Sequence, residues 1–298
     1  MNETAQEKFN KIKKTVDEYL EKSVEVKYPQ NIYQSMRYSL LAGGKRQRPV
    51  IAIETGLLYG ANIEELLPVA CAIEMLHCQS LIHDDLPCMD NDDYRRGKLT
   101  NHKVYGEATA TLAGDAFLSY APKFIIDKTP KTVDCETLIK LLNEFFIAAG
   151  TDGIISGQIV DIESEKKKIS KETLDFIYEY KTAKLFKLAV RSSALIAKVN
   201  ETSMQNLTLF AQYYGHAFQL YDDILDVTST FENLGKTPHK DEKSEKSTYI
   251  SMYGIDKAKK QTVFLCERAY DILEGERIKS DILKGIVSDI VLGVEKCC

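Results

Sequence analysis

The stretch LIHDDLPCMDNDDYRRGKLTNH, residues 81–102, concentrates five aspartates and follows them with two arginines. The aspartates are Asp84, Asp85, Asp90, Asp92 and Asp93, and the arginines are Arg95 and Arg96. Carboxylates at this density repel one another unless cations lie among them, and carboxylate oxygens suit hard ions such as Mg²⁺. The preceding segment EMLHCQSLIH, residues 74–83, is apolar with helical spacing, so we predict a buried helix that ends at Asp84 and Asp85.

A second acidic cluster, FQLYDDILD, occupies residues 218–226. Gln219, Asp222, Asp223 and Asp226 recur at the spacing of one helical face. Two facing helices that carry these clusters could bind several Mg²⁺ ions, and Mg²⁺ held by few carboxylates completes its coordination with phosphate oxygens. The alternative is two solvated acidic faces. Both clusters lie inside apolar runs, which favours a metal–phosphate site.

Composition excludes several classes of function. The 298-residue chain has a net charge of −5 and 44% hydrophobic residues, which is typical of a soluble globular protein and argues against general nucleic-acid binding. The seven cysteines form no CxxC pair, so we expect free thiols in a reducing compartment. The N-terminal residues contain no apolar signal region, and no apolar run approaches the length of a membrane span. We therefore predict a cytoplasmic protein without a stable membrane anchor.

Helical spacing recurs along the chain, and no stretch shows sustained strand alternation. The predicted helices cover residues 3–26, 31–41, 48–59, 62–85, 104–124, 133–149, 151–163, 171–198, 203–227, 248–273 and 276–294, with a charged loop at 228–246. No linker rich in Ser, Gly or Pro divides the chain. We predict one all-α domain over residues 1–298, a helical bundle with its active site in a central cavity between facing helices.

Basic residues near these clusters are candidates for binding phosphates that metals do not contact. The candidates are Lys45, Arg46 and Arg48 after a glycine pair, Arg95 and Arg96 after the first cluster, Lys181 in YKTAKLF, and Lys236, Lys240 and Lys246. A single basic residue is usually solvated surface. Their position beside glycines and aspartate motifs favours a functional role.

His77 precedes Asp84 by two helical turns on the same face, so it is either a ligand or a hydrogen-bonded core residue. Glu74 and His77 also have the spacing of a di-iron ligand pair, but that architecture requires two such pairs and no other histidine has a glutamate three residues before it. The chain contains no nucleophile elbow, Walker loop or dinucleotide fingerprint. Metals and basic residues without a nucleophile suit the departure of a diphosphate leaving group.

Several long motifs occur in one order: GGKRQRP, HCQSLIHDDLPCMDNDDYRRGK, NHKVYGEATATLAGDAFL, GQIVD, YKTAKLF, FQLYDDILD and LGKTPHKD. In sequence and order they resemble the trans-isoprenyl diphosphate synthases, in particular the short-chain farnesyl and geranylgeranyl branch, over about residues 30 to 255. DDLPCMD has the two-residue insertion that resembles the bacterial and plant forms. The resemblance implies the all-α isoprenoid synthase fold.

The resemblance also implies a Mg²⁺-dependent enzyme, usually a homodimer, that condenses isopentenyl diphosphate with dimethylallyl or geranyl diphosphate by ionisation, condensation and elimination. It implies three Mg²⁺ ions, with Asp84, Asp85, Asp90, Asp222 and Asp226 as the metal ligands. Isopentenyl diphosphate would be bound by Lys45, Arg48, His77 and Arg96. The allylic substrate would be contacted by Arg95, Lys181, Thr182, Gln219 and Lys236, of which the first four are the catalytic candidates. We expect helices 104–124 and 133–149 to supply a dimer interface.

Gln79 and Ser80 lie about one helical turn before Asp84, so we predict that they line the pocket for the growing chain. The resemblance implies an aromatic residue at position 79 in many enzymes that stop at C15 and a smaller one in longer-product enzymes. Gln79 is neither, and Met75 or Leu76 could set the limit instead. We predict farnesyl diphosphate as the product, with geranylgeranyl diphosphate synthase and a non-catalytic subunit as the alternatives.

Two positions depart from the family pattern. The family usually has GKTxGKD and later KxTYP, where this chain has Pro238–His239 and Tyr249–Ile250. We expect these departures to affect loop closure more than catalysis. A class I terpene cyclase is a further alternative. Such cyclases lack a second DDxxD and the GGKRxRP motif, and this chain has both.

Overall fold

The computed structural model describes residues 1–229, 246–276 and 278–297, and it confirms the predicted all-α bundle. Within those ranges the strands are limited to β1 (Tyr94–Arg95) and β2 (Lys98–Leu99). The helical elements are α1 (Glu3–Glu21), α2 (Gln30–Leu40), α3 (Gln47–Leu58), α4 (Ile63–Asp84), α5 (Asn101–Tyr105), α6 (Glu107–Lys128), α7 (Cys135–Ala149), α8 (Ile154–Ser164), α9 (Lys171–Ile177), a π-helical segment (Tyr178–Ala183), α10 (Lys184–Ile196), α11 (Glu201–Thr228), α12 (Tyr249–Tyr253), α13 (Ile255–Gly275) and α14 (Asp281–Lys296).

Helix α4 is the central element of the bundle, packed against α3, α6 and α10. Its first turn is closed by Glu65, whose carboxylate accepts from the backbone N–H of Asn62 at 3.2 Å. Its 22 residues are apolar enough to cross a membrane, yet 78% of its most apolar window is buried inside the protein. A core that is continuous from Phe9 to Val294 surrounds it. Helix α4 therefore carries Asp84, its last residue, to the centre of the molecule. That residues 1–298 form a single domain stays a prediction.

The predicted helix 171–198 is interrupted by the π-helical segment. Two glycines from neighbouring helices press against this segment. A Cβ at Gly157 of α8 would lie 2.2 Å from the backbone nitrogen of Lys181, and a Cβ at Gly215 of α11 would lie 2.6 Å from the Cα of Ala183. A π-helical turn contains an extra residue and is common at functional sites. Here it carries Lys181 and Thr182.

The polar stretch after the first aspartates forms a hairpin that the sequence pattern did not reveal. Tyr94 pairs with Leu99 and Arg95 with Lys98. Between the strands Arg96 has φ 55° and Gly97 has φ 73°, the backbone of a two-residue hairpin turn. The hairpin folds back on α4, where Arg95 contacts Asp85 at the C-terminal end of the helix and Arg96 contacts Glu74 in its middle.

The contact of α8 with the π-helical segment predicts a strong effect of Gly157→Ala. The added methyl group meets backbone rather than a flexible side chain, so we expect the free energy of unfolding to fall by roughly 1–3 kcal/mol. Thermal unfolding followed by circular dichroism measures this loss of stability.

The matched control is Gly275→Ala at the end of α13, where an added Cβ meets nothing within 4 Å. Alanine favours the helix, so stability there should be unchanged or rise by up to about 1 kcal/mol. Equal melting temperatures for the Gly157 variant and the wild type would contradict the close contact.

Candidate active site

Both aspartate clusters open into one cavity of about 680 Å³ between α3, α4, α8, the π-helical segment and α11. Its wall combines charged side chains with apolar ones such as Leu118, Ile154 and Ile159. Most of the residues predicted from the sequence line this cavity: Lys45, Arg48, His77, Gln79, Ser80, Asp84, Asp90, Arg95, Arg96, Lys181, Thr182, Gln219, Asp222 and Asp226. Lys236, Pro238–His239 and Lys240 lie outside the described residues. The bundle thus brings together side chains from sequence positions 45 to 226.

Asp85 differs from the other predicted metal ligands because the described cavity wall does not include it. Its carboxylate accepts from Arg95, from Nε at 3.0 Å and from Nη2 at 2.5 Å. Nη2 also contacts Asp92 at 3.2 Å. Burial raises the pKa of Asp85 to about 6, although Arg95 opposes the shift. In this structure the carboxylate of Asp85 orients Arg95, and its role as a metal ligand stays a prediction.

Glu74 anchors two of the arginines. Its Oε1 accepts from Arg46 Nη1 at 2.6 Å and from Arg96 Nη2 at 3.3 Å. Arg46 is only 3% exposed, adopts the left-handed backbone conformation with φ 51°, and also donates to Asp17 at 2.9 Å. Removing one partner of such a buried pair would leave an uncompensated charge. Arg46, the N-cap of α3, therefore fixes the junction between the loop that carries Lys45 and the first turn of α3, which carries Arg48.

The arginine-rich end of the cavity is suited to an anion. The Arg48 guanidinium lies over the ring of Phe186 at 4.3 Å, and its buried Nε has no hydrogen-bond partner in the described part of the chain. Burial lowers the pKa of Arg48 to about 10, so the group stays protonated at neutral pH. Burial and the neighbouring Arg48 and Arg96 lower the pKa of His77 well below its ordinary value, so its imidazole is neutral. The positive charge of Arg48 and its unpartnered Nε suit a phosphate group.

The opposite end is rich in carboxylates that lysines neutralise. Lys181 donates to Asp161 at 2.5 Å. Lys246 donates to Asp90 at 2.9 Å and lies 3.7 Å from Asp161. Burial raises the pKa of Asp84, which Lys181 partly offsets. Burial alone would lower the pKa of Lys181, but Asp161 and Asp84 raise it well above its usual range.

Sequence reasoning assigned no role to Asp161, Gln158 or Tyr178. The first two belong to GQIVD, a motif that carried the resemblance without a stated chemistry, and that motif was the available signal. Gln158 lines the cavity with a buried, unpartnered Nε2 among the described residues. Tyr178 contacts the second aspartate cluster through a short hydrogen bond to Asp223. No spacing rule connects residues that are so distant in sequence.

The arrangement of carboxylates fits a divalent cation that shares its ligands with phosphate. Among residues 1–229, 246–276 and 278–297, no three acidic, histidine or cysteine groups converge closely enough to bind an ion alone. Asp84 and Asp90 nevertheless line the same cavity as Asp222 and Asp226. Mg²⁺ commonly takes one or two carboxylates and completes its octahedral shell with water and substrate phosphates. The ammonium group of Lys246 against Asp90 marks a position that attracts a cation.

Comparison with known proteins identifies the class of this bundle. The polyprenyl synthetase family model matches residues 29–286, and the chain belongs to this family of prenyltransferases. The chain is 48% identical over 258 residues to geranylgeranyl diphosphate synthase of Cyanophora paradoxa, covering 86% of each chain. It is 42% identical over 272 residues to farnesyl diphosphate synthase of Bacillus subtilis, covering 91% of this chain and 92% of the relative.

Solved structures show the same fold. An FPP/GFPP synthase from Zymomonas mobilis in its apo form superposes with a TM-score of 0.86 at 31% identity, covering 97% of this chain and 99% of the other. A geranyltransferase from Helicobacter pylori, complexed with magnesium and isoprenyl diphosphate, gives a TM-score of 0.84 at 27% identity and covers 99% of both chains. The sequence-based identification of the prenyl synthase family is confirmed.

The contacts of Lys246 predict that this residue competes with a metal ion for Asp90. Two unit charges about 4 Å apart interact by about 4 kcal/mol at an effective dielectric constant of 20. Solvent screens part of this energy, and the remaining repulsion between Lys246 and a bound metal ion should change the metal affinity roughly tenfold. We expect Lys246→Met to bind Mn²⁺ more tightly than the wild type in the absence of substrate. Electron paramagnetic resonance of free Mn²⁺ measures this affinity.

Lys168→Met is the control, because Lys168 is exposed and the change removes the same charge. Its Mn²⁺ affinity should stay within about twofold of the wild type, since exposed charges are screened by salt. Unchanged or weaker binding by the Lys246 variant would show that its ammonium does not oppose the metal.

Proposed function

We propose that this protein is a Mg²⁺-dependent trans-prenyltransferase that condenses isopentenyl diphosphate with allylic diphosphates to form farnesyl diphosphate. The observation that carries the proposal is one cavity with two chemically different anion sites and an apolar wall. Lys45, Arg48, His77 and Arg96 would bind isopentenyl diphosphate at the arginine-rich end. Asp84, Asp90, Asp222 and Asp226 would bind the allylic diphosphate through Mg²⁺ ions, and we infer three of them by the family resemblance.

The reaction begins when the C–O bond of the allylic diphosphate breaks and its electron pair leaves with the diphosphate. Bound Mg²⁺ supplies charge neutralisation for that leaving group. Lys181 and Arg95 add fixed positive charge nearby, while the oxygens of Thr182 and Gln219 face the allylic cation. The double bond of isopentenyl diphosphate then forms the new C–C bond. Loss of a proton to the released pyrophosphate creates the product double bond.

The apolar half of the cavity would hold the growing chain. Leu118, Ala149, Ile154, Ile155 and Ile159 line it together with Gln79, Ser80 and His83. Gln79 Nε2 donates to His83 Nδ1 at 3.0 Å, while Gln79 Oε1 is buried without a partner in the described residues. A prenyl chain that displaces Gln79 would break its bond to His83 and offer no replacement partner. This polar contact supports the proposal of a stop at C15.

Geranylgeranyl diphosphate is the second candidate product. Gln79 is a flexible, non-aromatic side chain, and it lines the same cavity as the small residue Ala149. Met75 and Leu76 are fully buried in the core and do not belong to the described cavity wall, so they support the pocket from behind. The similarity to the geranylgeranyl diphosphate synthase of Cyanophora paradoxa supports this alternative.

The deciding experiment supplies purified protein with Mg²⁺, isopentenyl diphosphate and, separately, C5, C10 or C15 allylic diphosphates. We expect C15 to accumulate and to be a poor primer itself. We further expect Gln79→Phe to shift the products toward C10 and Gln79→Ala to shift them toward C20, because the first fills the pocket and the second removes the polar barrier. Chromatography of dephosphorylated products measures each distribution.

Ready conversion of C15 to C20 by the wild type would establish the geranylgeranyl alternative. Product distributions in both Gln79 variants that match the wild type would show that another part of the cavity wall limits the chain length. No product from any primer would favour the non-catalytic subunit.

We also propose that the protein is a cytoplasmic homodimer that uses α6 and α7 as its interface. These helices pack against each other and expose large apolar side chains: Leu112, Ile126, Ile139, Phe146 and Ile147. Ile139 is 67% exposed and Phe146 is 56% exposed. Clustered apolar exposure of this kind is typical of an interaction surface.

Phe146→Asp should therefore convert the dimer to a monomer, because a charge placed inside a dimer interface would be desolvated without a partner. Size-exclusion chromatography with light scattering measures the mass. Phe264→Asp on α13 is the control, since Phe264 is 48% exposed on a different helix. A monomeric wild type, or a dimeric Phe146 variant, would contradict the proposed interface.

A further inference from the structure

Asp222 and Asp223 are neighbours in the second aspartate motif, but they have different surroundings. Asp222 lines the cavity, and the described cavity wall does not include Asp223. Asp223 is 4% exposed. Its Oδ2 accepts from the hydroxyl of Tyr178, and its Oδ1 accepts from Gln219 Nε2 at 2.9 Å. Among the described residues, Tyr178 and Gln219 thus donate to the carboxylate of Asp223.

These contacts determine how the Gln219 amide is oriented. A carboxylate only accepts hydrogen bonds, so the NH₂ group of Gln219 must face Asp223. The carbonyl oxygen Oε1 then points the other way, where it accepts from Thr182 Oγ1 at 2.5 Å. Gln219 and Thr182 both line the cavity. An amide turned by half a rotation would present NH₂ to Thr182 and lose the bond to Asp223.

The orientation matters for a reaction that passes through a carbocation. A carbonyl oxygen carries partial negative charge, and Thr182 uses its proton on that oxygen, so its own lone pairs remain available toward the cavity. Oriented dipoles of this kind stabilise charge that develops during a reaction without having to reorganise. The reversed amide would direct positive hydrogen atoms toward the cation.

Tyr178 connects this orientation to a distant segment. Its hydroxyl donates to Asp223 and accepts from the backbone N–H of Tyr249 at 3.1 Å. Tyr249 is the first residue of α12 and lies three positions after Lys246, which contacts Asp90. Accepting a hydrogen bond makes a hydroxyl a stronger donor, so the Tyr249 contact reinforces the bond to Asp223.

We propose that Tyr178 and Asp223 are positioning residues that fix the amide of Gln219 with its carbonyl oxygen toward the allylic cation. The proposal rests on the proposed prenyl transfer. It assigns Asp223 a role different from the metal-binding role of its neighbour Asp222. It also explains why the described hydrogen bonds run in series from Tyr249 through Tyr178, Asp223 and Gln219 to Thr182.

The test is Tyr178→Phe, which removes one hydroxyl and keeps the aromatic ring. We expect kcat to fall roughly tenfold to a hundredfold, the range in which a small misplacement of a catalytic group acts. The KM values for both substrates and the Mg²⁺ concentration for half-maximal activity should change less than about twofold, because neither diphosphate site is altered. Asp223→Asn is the second variant, since an amide can accept or donate and no longer specifies the orientation of Gln219.

Binding of two unreactive analogues separates positioning from a structural effect. In the first analogue an ammonium group replaces the carbon that becomes positive, and in the second the bridging oxygen is replaced by sulfur and the chain is neutral. We expect Tyr178→Phe to lower the affinity for the ammonium analogue by the same factor as it lowers kcat. The affinity for the sulfur analogue should be unchanged, because only the ammonium analogue resembles the charged transition state. Calorimetry measures both affinities.

Tyr180→Phe is the matched control. Tyr180 lies in the same π-helical segment, its ring stacks on Phe176 at 4.1 Å, and its hydroxyl takes no part in the series of bonds described above. If Tyr178→Phe and Tyr180→Phe had the same kcat and the same affinity for the ammonium analogue, the proposal would be overturned. A shifted Mg²⁺ dependence in Asp223→Asn would also overturn it by making Asp223 a metal ligand. Wild-type turnover tests the proposed function separately.

Discussion

Neutralisation of buried charge is the constraint on which the rest of this structure depends. An ionised carboxylate inside a protein is costly unless a cation or hydrogen-bond donor compensates it. Asp161 is met by Lys181 at 2.5 Å, and Glu74 is met by Arg46 at 2.6 Å. Each pair joins elements that are distant along the chain. The same ion pairs that make the charged cavity tolerable therefore also position the helices around it.

The regular helices form a rigid frame, and the irregular segments orient the functional side chains. Helix α4 carries Asp84 to the centre, but the hairpin β1–β2 returns Arg95 to the end of α4. The π-helical segment places Lys181 beside Asp161 and Thr182 beside Gln219. A regular α-helix over the same residues would rotate one of these side chains away. The functional groups thus depend on departures from ideal helical geometry at two points.

The two ends of the cavity divide the chemistry of the proposed reaction. Arg48, which stacks on Phe186, forms a buried cationic surface with Arg46 and Arg96, and this surface suits a diphosphate that must stay intact. The opposite end combines acidic and basic groups, which suits a diphosphate that leaves through metal coordination. The apolar wall between α4 and α8 accommodates hydrocarbon. The order of charged, reactive and apolar regions follows from which face each helix presents to the cavity.

Local pattern and motif were enough to predict the all-α bundle, the helix that ends in aspartates, and most cavity residues from Lys45 to Asp226. Helical spacing and charge density depend on residues that are close together in the sequence. Pattern and motif did not distinguish Asp85 from Asp84, and they assigned Asp223 no role of its own. Adjacent residues on a helix point in different directions, and their partners come from other elements. The sequence alone therefore determined which chemical groups are available to this site. Only the tertiary structure decided which carboxylates face the cavity and which orient a neighbouring side chain, because that depends on contacts between residues far apart in the chain.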